Sequence, residues 1–352
     1  RKHKISFIGP TSKQIKIFGD KINAKKLMKK HKFPVIPGSE DYLKSIDEAL
    51  EAAKKISYPV ILKAGSGGGG KGIRVIKNQK ELIENYTIVK QEVKNSFGNE
   101  NIYLEKFFDN PRHIEVQIVA DKQGNVVHLG ERDCSIQRNK QKIIEETPSP
   151  TLSNSQRKKI CNLVVKTIKK IGYESLGTVE LLYKNQKFYF MEMNTRVQIE
   201  HTITERITGI DLIKQQIKIS AGQKITFNQK DIQFSGHSIQ CRINAEDPLS
   251  FIPSPGRIKE YHSPGGPGVR IDSALYAGCI VPHQYDNLIS KIIIYSRNRN
   301  EAILRLKRCL IEYVINGVKT NIPLHLKILN SKDYIKGNYH INWLNKFLSI
   351  NY

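Results

Sequence analysis

The spacing of apolar positions divides the chain into short helices and strands. Asp20 caps a predicted helix through Leu27 and Met28, which Pro34 stops. Ser45 with Glu48 has capping-box spacing and opens a helix through Ala49, Ala52, Ala53 and Ile56. A strand over 58–63 runs into a glycine loop, 64–72, and a second strand over 73–76 follows. Asn78 and Glu81 open a helix with Leu82, Tyr86, Val89 and Val93 on one face, and 102–106 reads as a strand, so 35–107 is predicted to be a small α+β unit. Strands around 114–118 and 126–129 are joined by a turn at Gly124. Ser153 and Gln156 cap a helix through Ile160, Val164 and Ile168 that Gly172 closes. Two strand-like runs, 177–183 and 187–192, flank the polar Lys184-Asn185-Gln186 and predict a hairpin; a helix over 211–222 follows. From about 236 the chain reads as strands and Gly/Pro turns, with a helix over about 301–317.

From Met191 to Ile199 the odd positions are apolar or Thr, while Glu192, Asn194, Arg196, Gln198 and Glu200 occupy the even ones. An extended chain carries that polar set on one face, which cannot be core. With the hairpin centred near Gln186, Glu180 lies opposite Glu192, and like charges in that position are destabilising. At ~5 Å and an effective dielectric of about 20 the repulsion is roughly 3 kcal/mol, which calls for a compensating cation. A Mg²⁺ held by one or two carboxylates plus substrate phosphates suits such a pair.

Charge changes the picture less than its size suggests. Lys+Arg number 57 against 33 Asp+Glu, a formal +24 over 352 residues, but the basic residues are dispersed over helix faces with no basic block or aromatic array, so no nucleic-acid partner is expected. Five well-separated cysteines imply neither a zinc site nor a disulfide framework, hence a reducing compartment. No apolar run approaches the roughly 18 residues of a membrane span, so no membrane is expected. The glycine loop contains G-x-x-x-x-G-K, but Gly72 stands where a Walker motif needs Ser or Thr, and a strand follows where a Rossmann fingerprint needs a helix. It remains a glycine flap whose backbone N–H groups can close over phosphates, with Lys63 beside it.

Several motifs together resemble a family. Lys63 with Gly67-Gly68-Gly69-Gly70-Lys71-Gly72, Asn110 to Gln117, Glu131-Arg132-Asp133-Cys134-Ser135-Ile136-Gln137-Arg138, Met191 to His201, and Cys241-Arg242-Ile243-Asn244-Ala245-Glu246-Asp247-Pro248 look like biotin carboxylase, an ATP-grasp enzyme. The resemblance implies an α+β ATP-grasp fold: a lid (35–107), a larger antiparallel-sheet body with the metal and bicarbonate site (108–235), a biotin carboxylase C-terminal domain (236–352), and in 1–34 the end of an N-terminal Rossmann-like subdomain whose last strand lies near 5–8. It implies ATP-dependent carboxylation of carrier-linked biotin by bicarbonate through carboxyphosphate, with ATP and Mg²⁺ or Mn²⁺. By resemblance Lys21, Lys63, Gly68, Gly69 and Gly70 serve the phosphates, Glu105 and Lys106 the adenine, and His113 and Gln137 the ribose and phosphates. Glu180 and Glu192 match the metal carboxylates, with Asn194 beside them. Lys142, Arg196, Gln198 and Ile199 match the bicarbonate surroundings, Glu200 the general base, and Arg242 the arginine facing the biotin enolate.

The same resemblance implies a biotin carboxyl carrier protein or domain and a carboxyltransferase as partners, a homodimer, and a plastid stroma or bacterial-type cytoplasm ahead of a mitochondrial matrix. Acetyl-CoA carboxylase, and so fatty acid synthesis, is the first assembly it suggests. The alternatives are another ATP-grasp ligase such as carbamoyl phosphate synthetase, or a silent partner subunit. Lys140 stands where the family has His or Asn, Arg206 where it has an apolar residue, and Asn287 and Ser290 alter a downstream motif. Thr202 replaces a proline, which frees the backbone next to Glu200 and is expected to loosen its aim. Residues 1–352 alone are expected to fold in lid and body but to bind ATP weakly.

Overall fold

The structure, a computed structural model, describes residues 5–65 and 72–351. It opens with helices α1 (Ser12–Gly19) and α2 (Lys21–Lys30). Thr11 and Gln14 close a capping box on α1, and Asp20 Oδ1 accepts from the Asn23 N–H at 2.8 Å on α2. The strand expected over 5–8 does not form, and Ile5, Phe7 and Ile8 are 75%, 69% and 51% exposed. A strand needs a ladder partner, and none lies beside these residues among those described.

The next unit has its own core. Helix α3 (Ile46–Ile56) starts with Ser45 Oγ accepting from the Glu48 N–H, but Glu48 takes the Lys44 N–H at 2.9 Å, so half of the expected box forms. Strands β1 (Val60–Ala64), β2 (Ile73–Ile76) and β3 (Ile102–Lys106) pair antiparallel in the order β2-β1-β3. Helix α4 (Gln79–Phe97) lays Leu82, Val89 and Val93 over Val60, Leu62 and Leu104, as its spacing predicts. Because β1 alternates, burying Val60 and Leu62 turns Ile61 and Lys63 to the opposite face.

An eight-stranded sheet carries the rest. Its members are β4 (Arg112–Ala120), β5 (Val126–Arg138), β6 (Gln141–Thr147), β7 (Ser175–Lys184), β8 (Lys187–Asn194), β9 (His237–Asn244), β12 (Val269–Ser273) and β14 (Leu288–Ser296), in the order β12-β14-β9-β6-β5-β4-β7-β8. The short strands β10 (Gly256–Arg257) and β13 (Ile280–Val281) pair together, as do β11 (Glu260–His262) and β15 (Val314–Asn316). Helices α5 (Asn154–Ile171), α6 (His201–Thr208), α7 (Leu212–Ser220) and α8 (Arg299–Glu312) lie on the sheet, and α9 (Ile322–Asn330), α10 (Lys332–Lys336) and α11 (Trp343–Asn351) end the chain. The helix expected over 301–317 stops at Glu312, because Tyr313 turns extended and the β-branched Val314-Ile315 leave to pair with β11. None of the described helices is long and apolar enough to cross a membrane.

The two faces of this sheet explain the site. Strand β4 is buried along its whole length. Its Val116 and Ile118 join Ile160, Val164 and Ile168 of α5 and Met28 of α2 in one apolar cluster. The alternate residues His113, Glu115 and Gln117 are just as buried but polar. Buried polar groups must be partnered within the protein, so the second face becomes a hydrogen-bonded layer.

Candidate active site

Strands β7 and β8 turn through Asn185-Gln186, both at positive φ (49° and 61°), the two-residue turn whose twist suits a hairpin. From that turn the ladder runs Lys184↔Lys187 to Leu181↔Phe190, and continued regularly it would set Glu180 against Met191. A bulge after Leu181 shifts the register by one residue and sets Glu180 opposite Glu192. The pairing is the expected one, but it is the bulge that makes it.

The extended run expected from Met191 to Ile199 ends at Asn194. Residues 195–200 fold back as a turn, and α6 begins at His201, its first bonds running from His201 N–H to Gln198 O and from Ile203 N–H to Glu200 O. Gln198 and Glu200 therefore reach the carboxylates from the side rather than along a strand. Asn194 Nδ2 donates to Glu180 Oε1 at 2.6 Å and Gln198 Nε2 to the same oxygen at 2.8 Å. Arg196 is exposed, bonding the Val197 carbonyl at 3.1 Å. Ile199 is 38% exposed, and its carbonyl accepts from Lys291 Nζ at 2.9 Å.

A dense charge network fills the polar layer. Lys142 Nζ lies 2.6 Å from Glu200 Oε1 and 3.3 Å from Glu180 Oε1, and it also contacts Glu115. His113 Nε2 is 2.9 Å from Glu180 Oε2, and His113 Nδ1 meets the Gln137 amide at 2.7 Å. Burial pushes the Glu180 carboxyl up, but His113 and Lys142 outweigh it and hold it well below the usual carboxylate range. Burial likewise opposes charge on Lys142, yet Glu115, Glu200 and Glu180 raise its pKa well above that of an ordinary lysine. On the other side Arg242 Nη2 donates to Glu200 Oε2 at 3.1 Å, and Arg242 Nε to Glu145 Oε1 at 2.6 Å.

One cavity of about 460 Å³ gathers these groups. Its lining includes Lys21, Lys63, Lys106, His113, Gln137, Lys142, Glu180, Glu192, Asn194, Arg196, Gln198, Ile199, Glu200 and Arg242, with Ile61, Ile73, Tyr103, Phe107, Phe108 and Ile341 as its apolar part. Gly68, Gly69 and Gly70 lie outside the described residues. Glu105 is not among the lining residues: its side chain lies on the same face of the small sheet as Ile61, Lys63 and Tyr103 but is buried beneath them, where it takes Lys63 Nζ at 2.7 Å and Lys25 Nζ at 3.2 Å. There it bridges Lys25 of α2 and Lys63 of β1. Lys106 Nζ caps the Ser57 and Tyr58 carbonyls at 3.0 and 3.1 Å. Lys21 Nζ stands 3.7 Å from Glu192 Oε2.

The chain resembles known proteins over nearly its whole length. Residues 20–228 match the family described as carbamoyl-phosphate synthase L chain, ATP binding domain, and residues 240–346 the biotin carboxylase C-terminal domain. The biotin carboxylase of Pseudomonas aeruginosa is 46% identical over 346 residues, 98% of this chain and 77% of that protein. The chain belongs to the biotin carboxylase family. A pyruvate carboxylase component of Methanothermobacter thermautotrophicus is 49% identical over 98% of this chain and 71% of that protein. The crystal structure of the biotin carboxylase domain dimer of Hydrogenobacter thermophilus 2-oxoglutarate carboxylase, with MgADP, ADP and bicarbonate, superposes at TM-score 0.95 with 47% identity, covering 98% of this chain and 77% of that one. A Campylobacter jejuni biotin carboxylase in complex with β,γ-ATP gives TM-score 0.96 at 46% identity, with the same shares covered. The α+β ATP-grasp architecture and an ATP-dependent ligase activity on biotin follow from membership.

The acidic pair fits a divalent cation. Glu180 and Glu192 face each other across β7 and β8, both line the cavity, and Asn194 adds a side-chain carbonyl, a set of hard oxygen donors. Protein cations also offset the repulsion: His113 and Lys142 at Glu180, Lys21 beside Glu192. Three buried charges that motif reading left without a role brace the groups of the cavity. Glu115 anchors Lys142; Arg132, fully buried, binds Glu115, Gln117, Thr178, Thr204 and Gln198; and Glu145 holds Arg242. Of the three, only Glu115 lay in a predicted strand, 114–118, where a charge between apolar neighbours was the available signal.

Proposed function

We propose that the chain carboxylates the biotin of a carrier protein, with Glu200 as the base that activates bicarbonate and Arg242 as the group that meets the biotin enolate. The observation that carries this reading is the close triad of Lys142, Glu200 and Arg242 inside one cavity with the two acidic residues. Exposed Arg196 presents a planar fork that suits bicarbonate bidentately, while Glu200 removes the proton. Attack of that oxygen on the γ-phosphate of ATP breaks the bond to the β-phosphate, releases ADP and forms carboxyphosphate. Its breakdown to CO₂ and phosphate leaves phosphate to deprotonate biotin N1, and Arg242 faces the enolate oxygen so formed. Lys21 and Lys63 serve the phosphates, and the apolar part of the cavity takes the base of the nucleotide. Glu180, Glu192 and Asn194 would hold Mg²⁺, or Mn²⁺, which when bound offsets charge gathering between the phosphate oxygens.

The assembly is part of the same proposal. Residues 35–107 act as a lid on a body over 108–235, with 236–352 bringing Arg242, and two copies associate as in the Hydrogenobacter domain dimer. The partners are a biotin carrier and a carboxyltransferase, of acetyl-CoA carboxylase or a related carboxylase; relatives named for biotin, pyruvate and 2-oxoglutarate carboxylases match at 46–49% identity. A chloroplastic Populus relative and the bacterial ones favour a plastid stroma or bacterial cytoplasm. The test is a pair of variants. Glu200→Gln should lower bicarbonate-dependent ATP cleavage by ~10²–10⁴. Arg242→Lys should keep part of that cleavage while forming little carboxybiotin, because an ammonium cannot reproduce a fixed guanidinium. Equal loss of both activities in both variants refutes the division of roles.

A further inference from the structure

A closed hydrogen-bonded ring joins the base to the arginine behind the cavity. Two residues beyond Glu200, the Thr202 hydroxyl donates to Gln240 Oε1 at 2.6 Å. The Gln240 amide donates to Glu145 Oε2 at 3.1 Å, Glu145 Oε1 accepts from Arg242 Nε at 2.6 Å, and Arg242 Nη2 returns to Glu200 Oε2 at 3.1 Å. Thr202, Gln240 and Glu145 have no exposed surface, and none of them lines the cavity. The directions are forced: a hydroxyl with a buried acceptor at one end, a carboxylate at the other, and between them an amide that both accepts and donates. A carboxylate at position 240 would face Glu145, whose own carboxyl burial already pushes up. Position 202, where a freer backbone was expected to loosen the turn, is instead where the turn is tied to β9.

We propose that Thr202 and Gln240 are positioning residues that hold Glu200 and Arg242 in mutual register, so that bicarbonate activation and enolate capture stay coupled. This rests on the roles given above to Glu200 and Arg242. Without the hydroxyl, Gln240 Oε1 is left buried and unpaired, and it recovers a partner only by rotating its amide away from Glu145. Arg242 then loses the fixed carboxylate that aims it, and small misplacements of reacting groups cost up to about 10²-fold in rate.

The experiment uses the full-length protein with its biotin carrier. ATP KM, carboxybiotin kcat, ADP released per carboxybiotin, and thermal unfolding are measured for wild type, Thr202→Val, Thr202→Ser and Gln240→Glu. Thr202→Val keeps the shape and removes the donor. It should leave the ATP KM within about twofold, lower carboxybiotin kcat roughly 10- to 100-fold, and raise ADP per carboxybiotin several-fold. Thr202→Ser should recover kcat to within about threefold of wild type, and Gln240→Glu should reproduce the Val defect. Wild-type kcat and ADP ratio in Thr202→Val overturn the proposal, as does an equal defect in Thr202→Ser, which would assign the effect to packing. If Thr202→Val shows no cooperative unfolding, Gln240→Glu decides, and wild-type coupling there overturns the proposal. A Glu200→Gln protein that still cleaves ATP normally, with Thr202 intact, would mark failure of the underlying roles instead.

Discussion

Replacing Lys142 by Met removes the cation shared by three buried carboxylates while keeping most of its stem. Its ammonium sits 3.3 Å from Glu180 and 2.6 Å from Glu200, beside Glu115. At an effective dielectric of about 20 those two separations correspond to gross attractions of about 5 and about 6 kcal/mol. Much of that offsets the desolvation of the ammonium, and removing one partner of a buried pair costs ~3–5 kcal/mol net. The sign with pH follows from the carboxyls. Glu115 and Glu180 are pushed up by burial but held below the usual range by Lys142 and its neighbours. Their contribution to wild-type stability is present above the ordinary carboxyl pKa and is lost as pH falls through the lower folded value. In the variant, burial and mutual repulsion prevail, those carboxyls bind protons more readily than in the unfolded chain, and stability returns as pH falls. Urea unfolding at pH 7.5 and pH 5.5 measures this: the variant should be less stable by about 3–5 kcal/mol at the higher pH, with a smaller gap at the lower. Mg²⁺ should raise the variant's midpoint more than the wild type's, since it supplies a second source of positive charge. A deficit below about 1 kcal/mol, the worth of an exposed pair, or one that ignores pH, would refute the assignment of Lys142 as counter-ion.

Three further outcomes are expected. Glu192→Gln should abolish ATP turnover and weaken the Mg²⁺ dependence of nucleotide binding, yet melt near wild type, because the Glu192 side chain is 35% exposed; unchanged turnover would exclude it as a metal ligand. Burial, with Lys63 and Lys21 adding to it, lowers the Lys140 ammonium to about 8, so ATP affinity should fall as pH rises through about 8, with proton uptake on binding visible by calorimetry in buffers of different ionisation enthalpy; Lys140→Met should flatten both. Gln186→Gly in the turn at φ 61° should stabilise by about 0.5–1 kcal/mol in urea titrations, since glycine meets no Cβ penalty there; a loss of stability would show that the Gln side chain matters more than the backbone.

Local signals were legible along the chain because they act over a few residues. Asp20, Ser45, Asn78 and Ser153 all cap the helices their spacing assigned to them. The acidic hairpin was readable for the same reason: a turn and two alternating strands set which side chains meet. Helix α1 was not read although its Thr11–Gln14 box is local; the strand over 5–8 and the helical reading of 313–317 failed because a partner distant in sequence decides whether an extended segment pairs.

At the site, spacing by itself singled out Glu180 facing Glu192 and the polar set from Asn194 to Glu200, because opposed carboxylates demand a cation, while Lys21, Lys142 and Arg242 came from the motif resemblance. Tertiary structure decided their geometry. A bulge, rather than a regular ladder, sets Glu180 against Glu192, and a turn rather than a strand delivers Gln198 and Glu200. Pairing of β3 with β1 sets Glu105 on the same face as Lys63 and makes the two an ion pair. The ring from Thr202 through Gln240 and Glu145 to Arg242 joins three segments separated by tens of residues. Sequence periodicity specifies which face of a strand a side chain occupies, but which charges share that buried face is set only when the strands pair, because satisfying a buried polar group depends on neighbours that the fold supplies.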